Sequence, residues 1–419
     1  MAKAKNAARQ VDDFYVRLLT RGKAQEVEIG APDTDPIARI IDAITGSIVR
    51  FVGSRAQDAE LTQRLQPDRV LVRTIPPAQI GALTMWIAPR HVVAVNRGLA
   101  LFLYRLARAF SPLVITRGPG DPPAPPESQA VGIIATLLDW MASPVRAPIV
   151  EDWPVGPRET RTAENFTTAA ERFVVAHEIA HIQLGHLIAD AAAVDLADSS
   201  PLELDTRPVS QEIQADVIGA CLAIESMQND GIDPRAAVTG IHFFLQALQL
   251  GEMLGAIHVD EAHPPAEERL KLCDDAIDQR YGSHAPLLRT WAKSTDELLG
   301  RLAAAALQER DQRRAAVAAR MDEMLRTTTW RMGRREGKRD MALLKEAQSL
   351  MSQSPSAVVE ALAANLLDPE AYTQLAKAAR SPDALEEDDR WRRHQVAHFL
   401  ARNSPAPVKR SLGVETIGG

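Results

Sequence analysis

Cysteine is nearly absent from this 419-residue chain, with Cys221 and Cys273 its whole complement. Two cysteines cannot make a disulfide framework, and such sparing use suits a reducing compartment, so cytoplasm is the default expectation. An excess of positive charge is also missing. A net charge of -7 and a pI near 5.9 argue against a whole-surface attraction to nucleic acid or to an anionic membrane. Nor is there a long uninterrupted hydrophobic run. The most apolar long window, "GIHFFLQALQLGEMLGAIHV" from Gly240 to Val259, contains Gln246, Gln249, Glu252 and two histidines, which fits a buried helix better than a membrane span. The opening "MAKAKNAARQVDDFYVRLL" lacks the apolar centre of a secretory signal. These absences together describe a soluble protein with no internal repeat.

What is present is enough apolar residue, 46% of the chain, to build a sizeable core in two domains or in one large domain with an appendage. Apolar spacing predicts a helix over about 35–49, followed by an extended run near "RLQPDRVLVRTI". "LTMWIA" and "HVVAVN", parted by Pro89 and Arg90, read as a β-hairpin. Asn96 is placed to cap a helix through "RGLALFLYRLARAF", expected to break at Ser111 and Pro112. "RGPGDPPAPPESQ", residues 117–129, reads as a linker or exposed loop, because proline cannot donate to a helix or sheet ladder. A short apolar helix follows around 132–141, and another begins near Thr162. Past about 286 the chain is rich in Ala, Leu, Arg and Glu at helical periodicity, most clearly over Ser294–Leu325.

The chemistry concentrates in "RFVVAHEIAHIQLGHLI", residues 172–188. His177 and His181 are four apart and so project from one helical face, where both imidazoles can bind a single tetrahedral cation. Glu178 follows the first histidine directly, and its carboxylate is positioned to take a proton from a metal-activated water, completing H-E-x-x-H. A stripe of Phe166, Ala170, Phe173, His177, His181, Leu184 and Ile188 buries the histidines, and a buried polar pair needs a partner that a metal supplies. In "SQEIQADVIGA", Glu212 and Asp216 are again four apart on a helix. In this geometry Glu212 is the third ligand to Zn2+, and Asp216 accepts a hydrogen bond from the far nitrogen of a ligand histidine. A third histidine ligand of the H-E-x-x-H-x-x-G-x-x-H form is excluded, since Leu184 and Leu187 stand at the required positions. His186, about 140° round an ideal helix from His181, is assigned a supporting or structural role.

These segments resemble the gluzincin metallopeptidases, within them the group that contains the CAAX prenyl protease and the bacterial heat-shock membrane protease. "HEIAH" and "EIQAD" resemble that family's zinc motifs, "HVVAVNRGL" its edge strand and following helix, and more weakly "GIDPRAAV" and "HPPAEERL" the segments after the third ligand. The resemblance spans about residues 80–275 with gaps. It implies an α+β, predominantly helical fold: a zincin-like peptidase domain with a small active-site sheet over 1–290, carrying the Pro-rich insertion at about 117–129, and a helical C-terminal region over 291–419. It also implies that His263 and Arg269 approach the scissile carbonyl and support the charged tetrahedral state. The hairpin edge, with Val92, Val93, Ala94, Val95 and Asn96, would pair with an extended substrate backbone. The best-known family members are integral membrane proteins and this chain shows no spanning helix, so membrane substrates do not carry over. The short separation of His181 from Glu212 also resembles soluble metallopeptidases that cleave repressors or, in phage exclusion, a host protein, which implies a regulated bacterial switch or defence protease.

The expected function is thus a soluble zinc endopeptidase acting on a protein or peptide, with C-terminal helices that bind a partner or self-associate. The alternative is a non-catalytic scaffold with a structural zinc site. Structural sites are usually closed by four protein ligands, whereas three ligands and a ready base favour catalysis. "HQVAH", His394–His398, repeats the histidine spacing but has Gln395 where the base belongs, and the basic run "WRMGRREGKRD" over 330–340 reads as a solvated hinge.

Overall fold

The computed structural model describes residues 31–66, 68–75, 81–87, 90–118, 121, 123–142, 155–187, 209–254, 264–327 and positions 349, 350, 353, 354 and 357. The fold is α+β and predominantly helical: helix accounts for 78% of these residues, beside one small three-stranded sheet. Contacts divide the chain into two compact units. One comprises residues up to Ala124 together with Pro154–Gly300, and the other Pro125–Trp153 together with Arg301 onward.

Among the described residues of the first unit, helix α1 (Pro36–Arg55) and the short α2 (Ala59–Arg64) come first. Strands β1 (Val70–Ile75), β2 (Ala82–Ile87) and β3 (Arg90–Asn96) follow, then α3 (Arg97–Val114). Asp35 fixes the relation of these pieces. It caps α1 by accepting from the Ile37 N–H at 2.9 Å, and its other oxygen meets the Thr74 hydroxyl of β1 and Arg97 of α3. These bonds hold its carboxyl below the usual range despite the opposing effect of burial.

The predicted hairpin forms, with Trp86 opposite His91 across β2 and β3. The strand order β1-β3-β2 nevertheless corrects one expectation. The run 70–75 returns parallel to β3, so β3 is the central strand, bonded on both sides, and Val92–Asn96 have no edge to offer a substrate. Among the described residues the outer strands are β1 and β2. Because the Asn96 N–H bonds the Gly81 carbonyl, alternation along the antiparallel ladder turns the backbone groups of Ala82, Thr84 and Trp86 away from β3. A second correction concerns α3, which runs through Ser111 and Pro112 to Val114. Pro112 cannot bond the Arg108 carbonyl four residues back, but the Ser111 hydroxyl donates to that same oxygen at 3.3 Å.

Helix α5 (Pro157–Leu184) is the axis of the unit. It starts five residues before the expected position because Pro157 suits the first helical turn, where no N–H is needed. Every residue from Ala169 to Ile182 is buried, since α5 packs against α1, α3, β2, β3 and the two helices that follow, α6 (Val209–Asn229) and α7 (Pro234–Met253). Full burial of a helix needs close neighbours, and two glycines supply them: a Cβ on Gly240 would lie 2.4 Å from the Ala169 carbonyl carbon, and one on Gly219 would lie 2.8 Å from the His177 Cα. Phe110, Phe166 and Phe243 fill one end with ring centroids 4.9 to 5.9 Å apart. No helix among the described residues is long and apolar enough to cross a membrane.

Helix α8 (Ala266–Tyr281), a 3-10 turn at Gly282–His284 and the four-residue α9 (Ala285–Leu288) complete the layer, and the first turns of α10 (Thr290–Thr327) close it. The unit boundary falls inside α10, between Gly300 and Arg301. In the second unit, α4 (Glu127–Ala142) meets the later turns of α10. Arg313 reaches the Thr136 hydroxyl at 3.0 Å, and buried Asp139 accepts from Ser354 at 3.1 Å beside Arg310.

His242 of α7 joins three helices of the first unit. Its Nδ1 is 2.7 Å from Asp296 of α10 and its Nε2 3.2 Å from Asp274 of α8. Burial would lower its pKa, but the hydrogen bonds and charges of Asp274 and Asp296 outweigh burial and raise it to about 9. Because the folded value lies above the unfolded one, the stabilisation is full below about pH 6.5 and is lost as pH rises through 9, on the order of 3 kcal/mol in all. Denaturant midpoints should therefore fall between pH 6.5 and 9.5 in the wild type and fall less steeply in His242→Gln, where His177 still contributes; parallel curves for the two proteins would contradict this account.

Candidate metal centre

The last turns of α5 and the first turn of α6 meet at a buried cluster. His177 and His181 face each other with Nε2 atoms 3.1 Å apart. Glu212 spans them, its Oε2 3.3 Å from His177 Nε2 and its Oε1 3.3 Å from His181 Nε2. These three side chains form the group among the described residues that could hold a metal ion. Glu178, 3% exposed, sits between the two histidines in sequence on the same helix.

Glu212 stands in the first turn of α6, where the free N–H groups and the helix dipole favour an anion. One turn later Asp216 accepts from His177 Nδ1 at 2.9 Å. That bond places the Nδ1 proton toward the carboxylate and turns Nε2 to the cluster, where a metal cation would take the place of its proton. Burial would lower the proton affinity of His177, yet the bonds to Asp216 and Glu212 reverse this and raise its pKa to about 10. Glu212 and Asp216 are correspondingly held below the ordinary carboxylate range against burial, Asp216 to about 2. Surroundings that attract a proton so strongly also attract a metal cation.

The far side of Asp216 is closed by Arg269 of α8, whose Nε lies 2.7 Å from Oδ2 and Nη2 2.8 Å from Oδ1. This two-point bond satisfies a carboxylate that is only 1% exposed. The resemblance puts Arg269 beside the scissile carbonyl; the structure gives those two nitrogens to Asp216 instead. Glu252 of α7 accepts from the Ala266 N–H at 2.9 Å and so anchors the start of the helix that carries Arg269. His263, the other residue carried over with Arg269, lies outside the described residues, as do the 394–398 histidine pair and the basic run 330–340.

His186 reaches the centre by a route that helical periodicity does not show. Gly185 is left-handed (φ 74°) and ends α5, and the His186 N–H bonds the His181 carbonyl at 3.0 Å while the Gly185 N–H bonds Ile182 at 3.3 Å. The turn folds His186 back, setting its Nδ1 3.2 Å from His181 Nδ1 and its Nε2 3.1 Å from Gln214 of α6. The chain's "LGH" carries a readable helix-end signal at glycine, and that signal, rather than the 140° rotation, locates the side chain. Gly219, Gln214 and Glu252 are the supporting residues that sequence reasoning missed. A glycine inside a helix reads as a weak point until a neighbouring backbone is known.

A family model described as Peptidase U49 matches residues 122–284, a span that contains the whole cluster. The match supports a peptidase family and, through it, action on protein or peptide substrates. No curated protein and no solved structure matches the chain.

Two substitutions test the construction. Gly219→Ala places a methyl against the His177 backbone and should cost about 1–3 kcal/mol of stability while loosening metal binding, measured by denaturation and by competition with a chromophoric chelator. Asp216→Asn should weaken metal affinity by about ten- to a hundredfold; wild-type affinity in that variant would show that Asp216 does not orient His177.

Proposed function

We propose that this chain is a zinc-dependent endopeptidase whose ligands are His177, His181 and Glu212 and whose general base is Glu178. The observation that carries the proposal is the convergence of the three side chains, one ligand atom from each lying within 4.8 Å of the others. Zinc–ligand bonds of about 2.0–2.1 Å at tetrahedral angles give donor–donor edges of roughly 3.3 Å, close to the 3.1 Å between the two Nε2 atoms and the 3.3 Å from each of them to its own oxygen of Glu212. Two imidazoles and a carboxylate form a donor set typical of catalytic zinc, with a fourth position for water.

Zinc held there would supply the Lewis acidity that brings a water's pKa toward neutrality. The chain's own residues do the remainder. The Glu178 carboxylate accepts the proton of the attacking water and delivers it to the departing amide nitrogen. Asp216 keeps the proton of His177 on Nδ1, and Arg269 holds Asp216 in place by its two-point bond, so it acts as a positioning residue. For substrate, β2 is an outer strand of the sheet among the described residues, and it packs on α5. An extended peptide added to that edge would be gripped by its main chain, which suits recognition of many sequences.

Glu178→Gln is the sharpest test, because glutamine preserves size but cannot accept the proton. Metal analysis should find about one zinc per chain in both proteins. New peptide termini in a treated lysate, mapped by mass spectrometry, should appear with the wild type and drop by at least about 10²-fold with the variant. Wild-type protein that takes up no metal, or a variant that cleaves as well as wild type, would refute the reading.

A further inference from the structure

Beside the C-terminal end of α5 lies a cavity of about 380 Å³ whose wall includes Arg64, Arg69, Trp86, His91 and Ile182. Ile182 directly follows the ligand His181, so the cavity adjoins the metal centre without containing any of its ligands. His91 is 6% exposed, and neither ring nitrogen has a hydrogen-bond partner. Its ring packs on Trp86, its cross-strand neighbour, with centroids 4.6 Å apart. Burial, and then the charges of Arg64 and Arg69, lower its pKa to about 4, so at neutral pH it presents one N–H donor and one acceptor.

The cations differ in their commitments. Arg64 pairs with Glu60 one turn earlier on α2 and lies over Gly185, where a Cβ would approach its Nη1 to 3.2 Å. Arg69, half-buried, has no ion pair or side-chain hydrogen bond among the described residues. The wall therefore carries one uncompensated positive charge, a bare imidazole donor beside it, and an apolar surface from Trp86, Ile182 and Leu187.

We propose that this cavity binds a carboxylate, with Arg69 and His91 donating to its oxygens and Trp86 packing on its aliphatic stem. One net charge matches a carboxylate better than a dianionic phosphate. The carboxylate belongs to an acidic side chain or to a chain terminus of a peptide. Its use as a specificity pocket rests on the peptidase reading above; the binding itself does not.

The test titrates full-length, metal-loaded protein, by ligand-observed NMR, with three probes: N-acetylglutamate α-amide, N-acetylglycine, and uncharged N-acetylglutamine amide. At least one carboxylate probe should bind saturably and the uncharged probe should not. Arg69→Gln should weaken that binding by at least about tenfold, and Arg69→Lys by less, because the charge is kept and only the fork is lost. Tighter binding of the glutamate probe assigns the pocket to a side chain, and tighter binding of acetylglycine to a chain terminus. Equal binding of the uncharged probe, no saturable binding, or affinity unchanged in Arg69→Gln would overturn the proposal, the last because it would place the probe on the metal instead. In the cleavage map, sites cut by the wild type should be enriched at one position in the favoured carboxylate, and Arg69→Gln should lose that enrichment. If the wild type cuts nothing, the peptidase reading fails while the titration still decides what the cavity binds.

Discussion

The close approach of α6 to α5 is the contact on which the rest of the centre depends. Gly219 lies where any side chain would strike the backbone of His177, so the two helices meet almost main chain to main chain. Glu212 and Asp216, seven and three residues before that glycine on α6, are thereby drawn up to the ring of His177, one to each of its nitrogens. A wider crossing would leave two histidines and two carboxylates buried without one another, and burial of unpaired polar groups is among the more costly faults a core can carry. Packing and chemistry are therefore a single constraint here. The small side chains along α5, Ala169, Ala170, Ala176 and Ala180, let neighbours close around the helix, and Gly240 repeats the device on α7.

Electrostatics runs outward from that contact as a chain of paired groups. Glu212 and Asp216 face His177, Asp216 faces Arg269, and the helix that bears Arg269 is anchored at its start by Glu252. Each bond fixes the orientation of the group before it, so the His177 imidazole is held by Asp216, and Asp216 by an arginine 53 residues further along the chain. His242 does the corresponding work further along α8, with Asp274 there and Asp296 on α10.

Local order was legible in the sequence wherever a period or a cap carried it. The i, i+4 pairs His177/His181 and Glu212/Asp216 identify same-face residues without any knowledge of the fold, and Asn96 caps α3, its Oδ1 accepting from the Gly98 N–H at 2.6 Å. What could not be read is non-local. Nothing in "VLVRTI" says that it will lie parallel beside β3 and take the edge that "HVVAVN" would otherwise expose. The partner of Arg269 depends on the direction from which α8 approaches α6, and no spacing encodes that. Ser111 could have been read, since a hydroxyl just before a proline can serve the carbonyl that the proline leaves unbonded.

Gly185 connects the metal centre to the neighbouring cavity. A left-handed residue there ends α5 within one turn of His181, and a helix continued past it would carry His186 away from His181. By ending, the chain folds His186 back onto His181. The same termination leaves Gly185 without a side chain under the guanidinium of Arg64, which can then sit over the helix end, where the carbonyl dipoles favour a cation. Any larger residue would be strained at φ 74° and would crowd Arg64 as well. One conformational choice therefore sets both the histidine behind His181 and the charged wall of the cavity beside it, which couples the orientation of His181 to the shape of that cavity.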